Sequence, residues 1–161
     1  MTAAVLLVVM LVLSQAAAGQ FLVASVLNGI GQKSGQTALP LLGLALLVIG
    51  LIAATLHLGQ PRKAWRAFLG WRRSWLSREL IAFHAFAAMA VMDVFFSFSA
   101  SHGTGATRSE IWGKVSIGAA ALAGLAAVFA SAMVYVDTGR PFWSALRSFG
   151  NFFGTTLLLG A

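Results

Sequence analysis

Long apolar runs separated by short polar breaks set the layout of this chain. The first extends from Ala3 to about Ile30, crossed only by uncharged polar residues such as Ser14, Gln15 and Gln20. The second covers Leu39 to Leu58, the third Leu80 to Ala100 and the fourth Ile111 to Val136. Each suffices to cross a hydrocarbon core about 30 Å thick, which takes roughly 20 helical residues. A last run, Phe149 to Ala161, would rise only about 20 Å as a helix, too little to cross. The pattern predicts helices near 3–30, 39–58, 79–100 and 112–136, with a partial fifth. The expected fold class is all-α: a polytopic transmembrane helix bundle, one domain over 1–161, with four full spans plus the partial fifth.

Finer spacing adds detail. Ala16 to Ala18 resemble a small-residue cleavage site, but no Lys or Arg precedes the first run and its hydrophobicity continues past those alanines, so a retained span is expected. Gln15, Gly19 and Val23, spaced four apart, share a face suited to close helix packing. Pro61 to Leu69 places Ala64, Trp65, Phe68 and Leu69 on one side and Arg62, Lys63 and Arg66 on the other, which predicts a short interfacial helix over 61–69 between spans two and three. Gly70 breaks it, and Ser74 or Ser77 can cap the next helix, with Glu79 in its first turn. Ser101 to Lys114 reads as an ordinary solvated connection.

Composition confirms the class and narrows the chemistry. Hydrophobic residues make up 59% of the chain and charged residues 9%, far below the soluble norm of about a quarter charged. The net charge of +7 could point to nucleic acid. The segment from His57 to Glu79, however, holds six of the eleven basic residues together with three of the five Trp, a placement that fits lipid headgroups instead. The chain has no Cys, so an iron–sulfur cluster ligated by thiolates must belong to a partner. Eight basic residues fall on the side shared by the N-terminus and the second and fourth loops, which the positive-inside rule makes cytoplasmic; a basic face that docks a partner would allow the opposite orientation.

His57, Glu79 and Asp93 stand in this apolar background as candidates for chemistry. His57 ends one helix and Glu79 opens the next, so the hairpin returns them to one surface. A neutral imidazole there can take a quinol hydroxyl proton while the carboxylate holds the imidazolium, and Arg78 can pair with Glu79. Helix-end residues facing water are the plainer alternative. Asp93 lies 14 residues beyond Glu79, about 21 Å along the helix and turned only about 40° from it, so both acids point to nearly the same side. His84, nine residues before Asp93, falls on the opposite face.

LHLGQPRKAWRAFLGWRRSWLSRE, at Leu56 to Glu79, resembles the signature of the membrane anchor subunit of the dimethyl sulfoxide reductase family. SQAAAGQFLV at Ser14 to Val23, VYVDTGRPFW at Val134 to Trp143 and FFGTTLLLGA at Phe152 to Ala161 are similar to further segments of that family in the same order. The resemblance implies an eight-helix protein of which this is the N-terminal half. It also implies a bound quinol, typically menaquinol, no haem, and electron transfer to an iron–sulfur subunit joined to a molybdopterin catalytic subunit in anaerobic respiration. On that basis His57, Glu79 and Arg78 are the expected quinol-site residues, and the expected location is a bacterial or archaeal cytoplasmic membrane. Asp93 and His84 match no motif of the family. Two other classes remain in view: a haem b carrier ligated by His57 and His84, and a transporter or scaffold using Asp93 in a proton path. Against the haem, His84 lies five residues, about 7.5 Å, past Glu79 and so deeper than His57.

Overall fold

A computed structural model describes residues 2–32, 37–57, 65–101, 106–139 and 143–160, with the side chains of 2, 3, 57, 101 and 106–110 excepted. The described residues form six helices and no strand: α1 (Thr2–Gly29), α2 (Ala38–His57), α3 (Trp65–Leu69), α4 (Trp75–Ser101), α5 (Ala106–Val136) and α6 (Ala145–Gly160). Four stretches within α1, α2, α4 and α5 are long and apolar enough to cross a membrane: Ala4–Gly29, Ala38–Leu56, Trp75–Ala100 and Ile111–Val136. The all-α expectation holds, and helix is the form lipid demands, because it satisfies every backbone group within one segment. Hydroxyls inside the spans obey the same constraint. Ser14, Thr55, Ser99 and Thr156 each donate to a carbonyl of their own helix, three or four residues back.

Helix ends are set by local chemistry. At the end of α1 the Gly31 N–H donates to Asn28 O and the Gln32 N–H to Leu27 O, with Gly31 at φ 77°. This paired closure needs a left-handed residue, which glycine supplies without a Cβ clash. Gly139, at φ 63°, ends α5 in the same left-handed conformation. The expected boundaries shift at three helix starts, one of them that of α6, which begins at Ala145, four residues before the apolar run from Phe149. The Gly70 carbonyl accepts from the N–H groups of Arg73 and Ser74, and the Ser74 carbonyl accepts from Arg78. Ser74 is therefore the cap, α4 begins at Trp75, and Glu79 sits in the second turn instead of the first. The segment expected as a loop up to Lys114 is helical from Ala106. Trp65–Leu69 forms a one-turn interfacial helix; positions 61–64 lie outside the described residues.

The bundle is organised around α1, which packs against α2, α5 and α6, while α4 packs mainly on α5. Ala17, Ala18 and Phe21 of α1 are fully buried, with Phe86 of α4 meeting Phe21 edge-on at 5.5 Å between ring centroids. The expected packing face of α1 is realised at Gly19, which sits so close to Thr156 and Gly160 of α6 that a Cβ on either glycine would collide with backbone. In α6, Ser148, Phe152, Thr156 and Gly160, four apart, form the buried stripe. Large apolar side chains such as Val8, Leu42, Ile52, Phe95 and Leu122 cover the outside. In water such a surface would drive aggregation; in a bilayer it faces acyl chains.

Candidate functional site

The α4–α5 pair carries the ionisable chemistry. Along α4, Glu79, Phe86 and Asp93 recur every seven residues, and they meet Ser131, Gly124 and Ser116 of the antiparallel α5. A seven-residue repeat keeps one helix edge against its neighbour over two heptads. The seam thus has an acid and serine at each end and a ring against a glycine in the middle. A Cβ on Gly124 would lie 3.2 Å from the Phe86 ring and from the Ala18 Cβ, so α1, α4 and α5 meet here in tight contact.

At one end, Glu79 is buried, 6% exposed, and the Ser131 hydroxyl donates to its Oε1. Tyr135, one turn further along α5, lies within electrostatic reach of the Glu79 carboxylate. Aromatic rings surround them. Tyr135 packs against Trp143 at 4.6 Å and Phe152 at 5.4 Å, and Phe129 joins Trp75 of α4 to Phe149 of α6. Glu79 therefore faces a neighbouring helix inside the bundle, and the alternative of a helix-end carboxylate facing water does not describe it.

Arg78 points elsewhere. Its Nε donates to Trp71 O at 3.0 Å and its Nη2 to Arg72 O at 3.2 Å, with the guanidinium 4.4 Å above the Trp75 ring. Consecutive helical residues diverge by about 100°, so one helix cannot aim both Arg78 and Glu79 at the same spot. Arg78 ties the Gly70 turn to the start of α4. Arg66 and Arg72 stack on Trp65 and Trp71, forming an exposed aromatic and basic edge at this end of the bundle.

His57 is the last residue of α2; its side chain lies outside those described, as does the expected contact with Glu79. His84 is exposed on the outer face of α4, hydrogen-bonded through Nδ1 to Leu80 O at 2.8 Å and edge-on to Phe68 of α3. It faces away from the seam, as its nine-residue separation from Asp93 requires. Asp93 is fully buried at the other end, 2.9 Å from the Ser116 hydroxyl. Sequence reasoning places both acids on one side of α4 but misses Ser116, Ser131 and Tyr135, which only the pairing with α5 brings into play. Among the described residues no cluster of His, Cys, Asp and Glu could hold a metal ion.

An all-helical membrane bundle with a buried carboxylate, an aromatic cluster and a basic, Trp-rich edge at one end places the chain among polytopic membrane proteins. The family model for the DMSO reductase anchor subunit (DmsC) matches residues 2–161, and the chain belongs to that family. A sulfite dehydrogenase subunit from Allochromatium vinosum is 35% identical over 109 residues, 66% of this chain. The matched stretch is 32% of that relative, so the chain spans about a third of the length of the curated relative it matches. No solved structure matches it.

Proposed function

We propose that this chain forms the quinol-oxidising site of a membrane anchor in a dimethyl sulfoxide reductase-type complex in a bacterial or archaeal cytoplasmic membrane. Menaquinol is the proposed substrate. Its two electrons pass to an iron–sulfur subunit and on to a molybdopterin catalytic subunit, and its two hydroxyl protons leave at the surface where α2 ends. His57 takes the first proton as base. Glu79, held by Ser131, is the fixed negative charge that favours the imidazolium, and the Trp75, Phe129 and Tyr135 rings offer an apolar wall for a flat quinol. Arg78 acts by holding the turn over the site. The observation that carries this reading is Glu79 itself: an acid kept inside the bundle, away from water, within an aromatic cluster.

A second reading follows from the relative named for sulfite dehydrogenase, an enzyme that draws electrons from its substrate. The same residues would then run in reverse, with His57 returning protons to a quinone as electrons arrive. Feeding the purified complex sulfite plus a quinone separates the two directions.

The test of the site is His57→Arg. A fixed cation cannot serve as a base at working pH, so quinol-dependent turnover should fall to background while the complex assembles and accepts electrons from an artificial donor that bypasses the membrane. Unchanged quinol-dependent turnover would remove His57 from the mechanism.

A further inference from the structure

Asp93 is not used by the proposed quinol chemistry, and its surroundings pose a hydrogen-counting problem. Ser116 Oγ lies 2.9 Å from Asp93 Oδ1 and 3.0 Å from the Gly113 carbonyl oxygen of its own helix. A hydroxyl owns one hydrogen, while a carbonyl oxygen and an ionised carboxylate oxygen can only accept. If Ser116 donates to Gly113, as serines in membrane helices commonly do to their own backbone, the contact with Asp93 lacks a hydrogen unless the acid supplies it. Sharing one hydrogen between both acceptors would weaken each bond and leave a buried anion with half a donor. The other oxygen, Asp93 Oδ2, is buried with no hydrogen-bond partner.

The charge inventory agrees. Between the acid ends, the described seam is filled by Phe83, Phe86, Ala90, Ala120 and Ala127, all buried and apolar. From Thr2 to Gly29 α1 has no ionisable side chain, and α2 has only His57, at the other end. On α4, Arg78 and Glu79 lie at the far end and His84 on the opposite face; Arg147 of α6 and Tyr135 and Asp137 near the end of α5 are also at the far end. Lys114 of α5 is the nearest described cation; it is exposed, and it does not reach Asp93 Oδ2. Arg108 and Glu110 lie outside the described side chains. An ionised carboxylate in an apolar layer with no paired cation is strongly disfavoured, because nothing there replaces its lost hydration, whereas the neutral acid avoids most of that cost.

We propose that Asp93 is a proton-binding site: at neutral pH it is a carboxylic acid whose O–H donates to Ser116 Oγ, while the Ser116 hydroxyl donates to Gly113. The bound ligand is a proton, held about 21 Å along α4 from Glu79 and near the opposite surface. The apolar fill between them separates the two acids, so Asp93 exchanges with its own side of the membrane and does not relay protons to Glu79. The assignment stands independently of the quinol reading.

Infrared difference spectra of the full chain in its complex, in lipid bilayers at neutral pH, test it. A protonated-carboxyl carbonyl band should be present in the wild type and lost in Asp93→Asn, with Glu79→Gln distinguishing any contribution from Glu79. In Ser116→Ala the band should move to higher frequency, because the acid loses the acceptor of its O–H. If Asp93→Asn fails to assemble, the Ser116→Ala shift decides alone. Identical wild-type and Asp93→Asn spectra in the acid carbonyl region, or no band moving in Ser116→Ala, would overturn the proposal.

Discussion

The two ends of the α4–α5 seam are built from the same parts, an acid on α4 against a serine on α5, and they differ in everything around those parts. At the Glu79 end, Tyr135, Trp143 and rings from three helices gather beneath a basic, Trp-rich edge. At the Asp93 end the neighbours are apolar, with Phe96 stacked on Trp112 at 6.3 Å. One environment offers a flat apolar wall, polar handles and a cationic rim; the other offers one hydroxyl and isolation. Residue type therefore marks both acids as candidates, and surroundings assign them different work.

The largest expected effect comes from breaking the barrier between the ends. Phe86 is fully buried and packs against Phe21 and Gly124 at the triple contact. Phe86→Ala should cost about 3–5 kcal/mol by the behaviour of soluble cores, toward the lower end here because lipid also solvates the unpacked helices. Unfolding of the reconstituted protein in a denaturing detergent would measure it, and a loss below about 1 kcal/mol would mean that the middle of the seam is not closely packed.

Next comes the chemistry of the Glu79 end. Glu79→Gln keeps an acceptor for Ser131 and removes the charge, so assembly should be normal and quinol-dependent turnover should fall about tenfold, equivalent to about 1.4 kcal/mol of barrier. That is milder than His57→Arg, which removes the base itself. Turnover unchanged in Glu79→Gln would remove this acid from the quinol chemistry.

A smaller effect is expected at the turn above the site. Arg78→Lys loses the two-pronged tie to the Trp71 and Arg72 carbonyls and weakens the stack on Trp75, since a point-like ammonium cannot reproduce a planar fork. Faster amide hydrogen exchange confined to residues 70–75, by roughly tenfold for about 1 kcal/mol lost, is the expected reading.

How far the sequence reveals this contrast depends on the kind of force involved. Hydropathy marks the four spans because lipid acts on every residue of a span at once. The shared side of Glu79 and Asp93, and the outward His84, follow from helical period alone. Three helix starts differ from expectation: the Ser74 cap and Gly70 turn start α4 four residues early, and α5 and α6 continue as helix through the residues 106–110 and 145–148 that precede their apolar runs. Arg78 is the expected partner of Glu79 only while adjacency in sequence stands for adjacency in space, and helical geometry separates the two. Ser131, Tyr135 and Ser116 are not legible, because a serine in an Ala- and Gly-rich helix acquires meaning only from the register of its neighbour. The VYVDTGRPFW segment, which contains Tyr135 and Trp143, is the one signal in the sequence for that aromatic pair, and neither serine has one.

The smallest expected effect on turnover belongs to Asp93→Asn. Its amide is nearly the shape of a carboxylic acid and can donate one N–H to Ser116 Oγ as the acid O–H does, so the seam should keep its packing and its hydrogen bond, and the loss of stability, from the second N–H left without an acceptor, should be about 1 kcal/mol. Quinol-dependent turnover should also stay at the wild-type level, because Phe86 and the alanines between the two ends leave the substituted group no polar contact with Glu79. The contrast with Glu79→Gln is then a matched experiment: the same acid-to-amide exchange, on the same helix face, two heptads apart, with a tenfold loss at one end and none at the other. A comparable loss of turnover in Asp93→Asn, measured beside an unchanged rate from the artificial donor, would show that the two acids act as one connected path, and the division of the seam into separate ends would have to be given up.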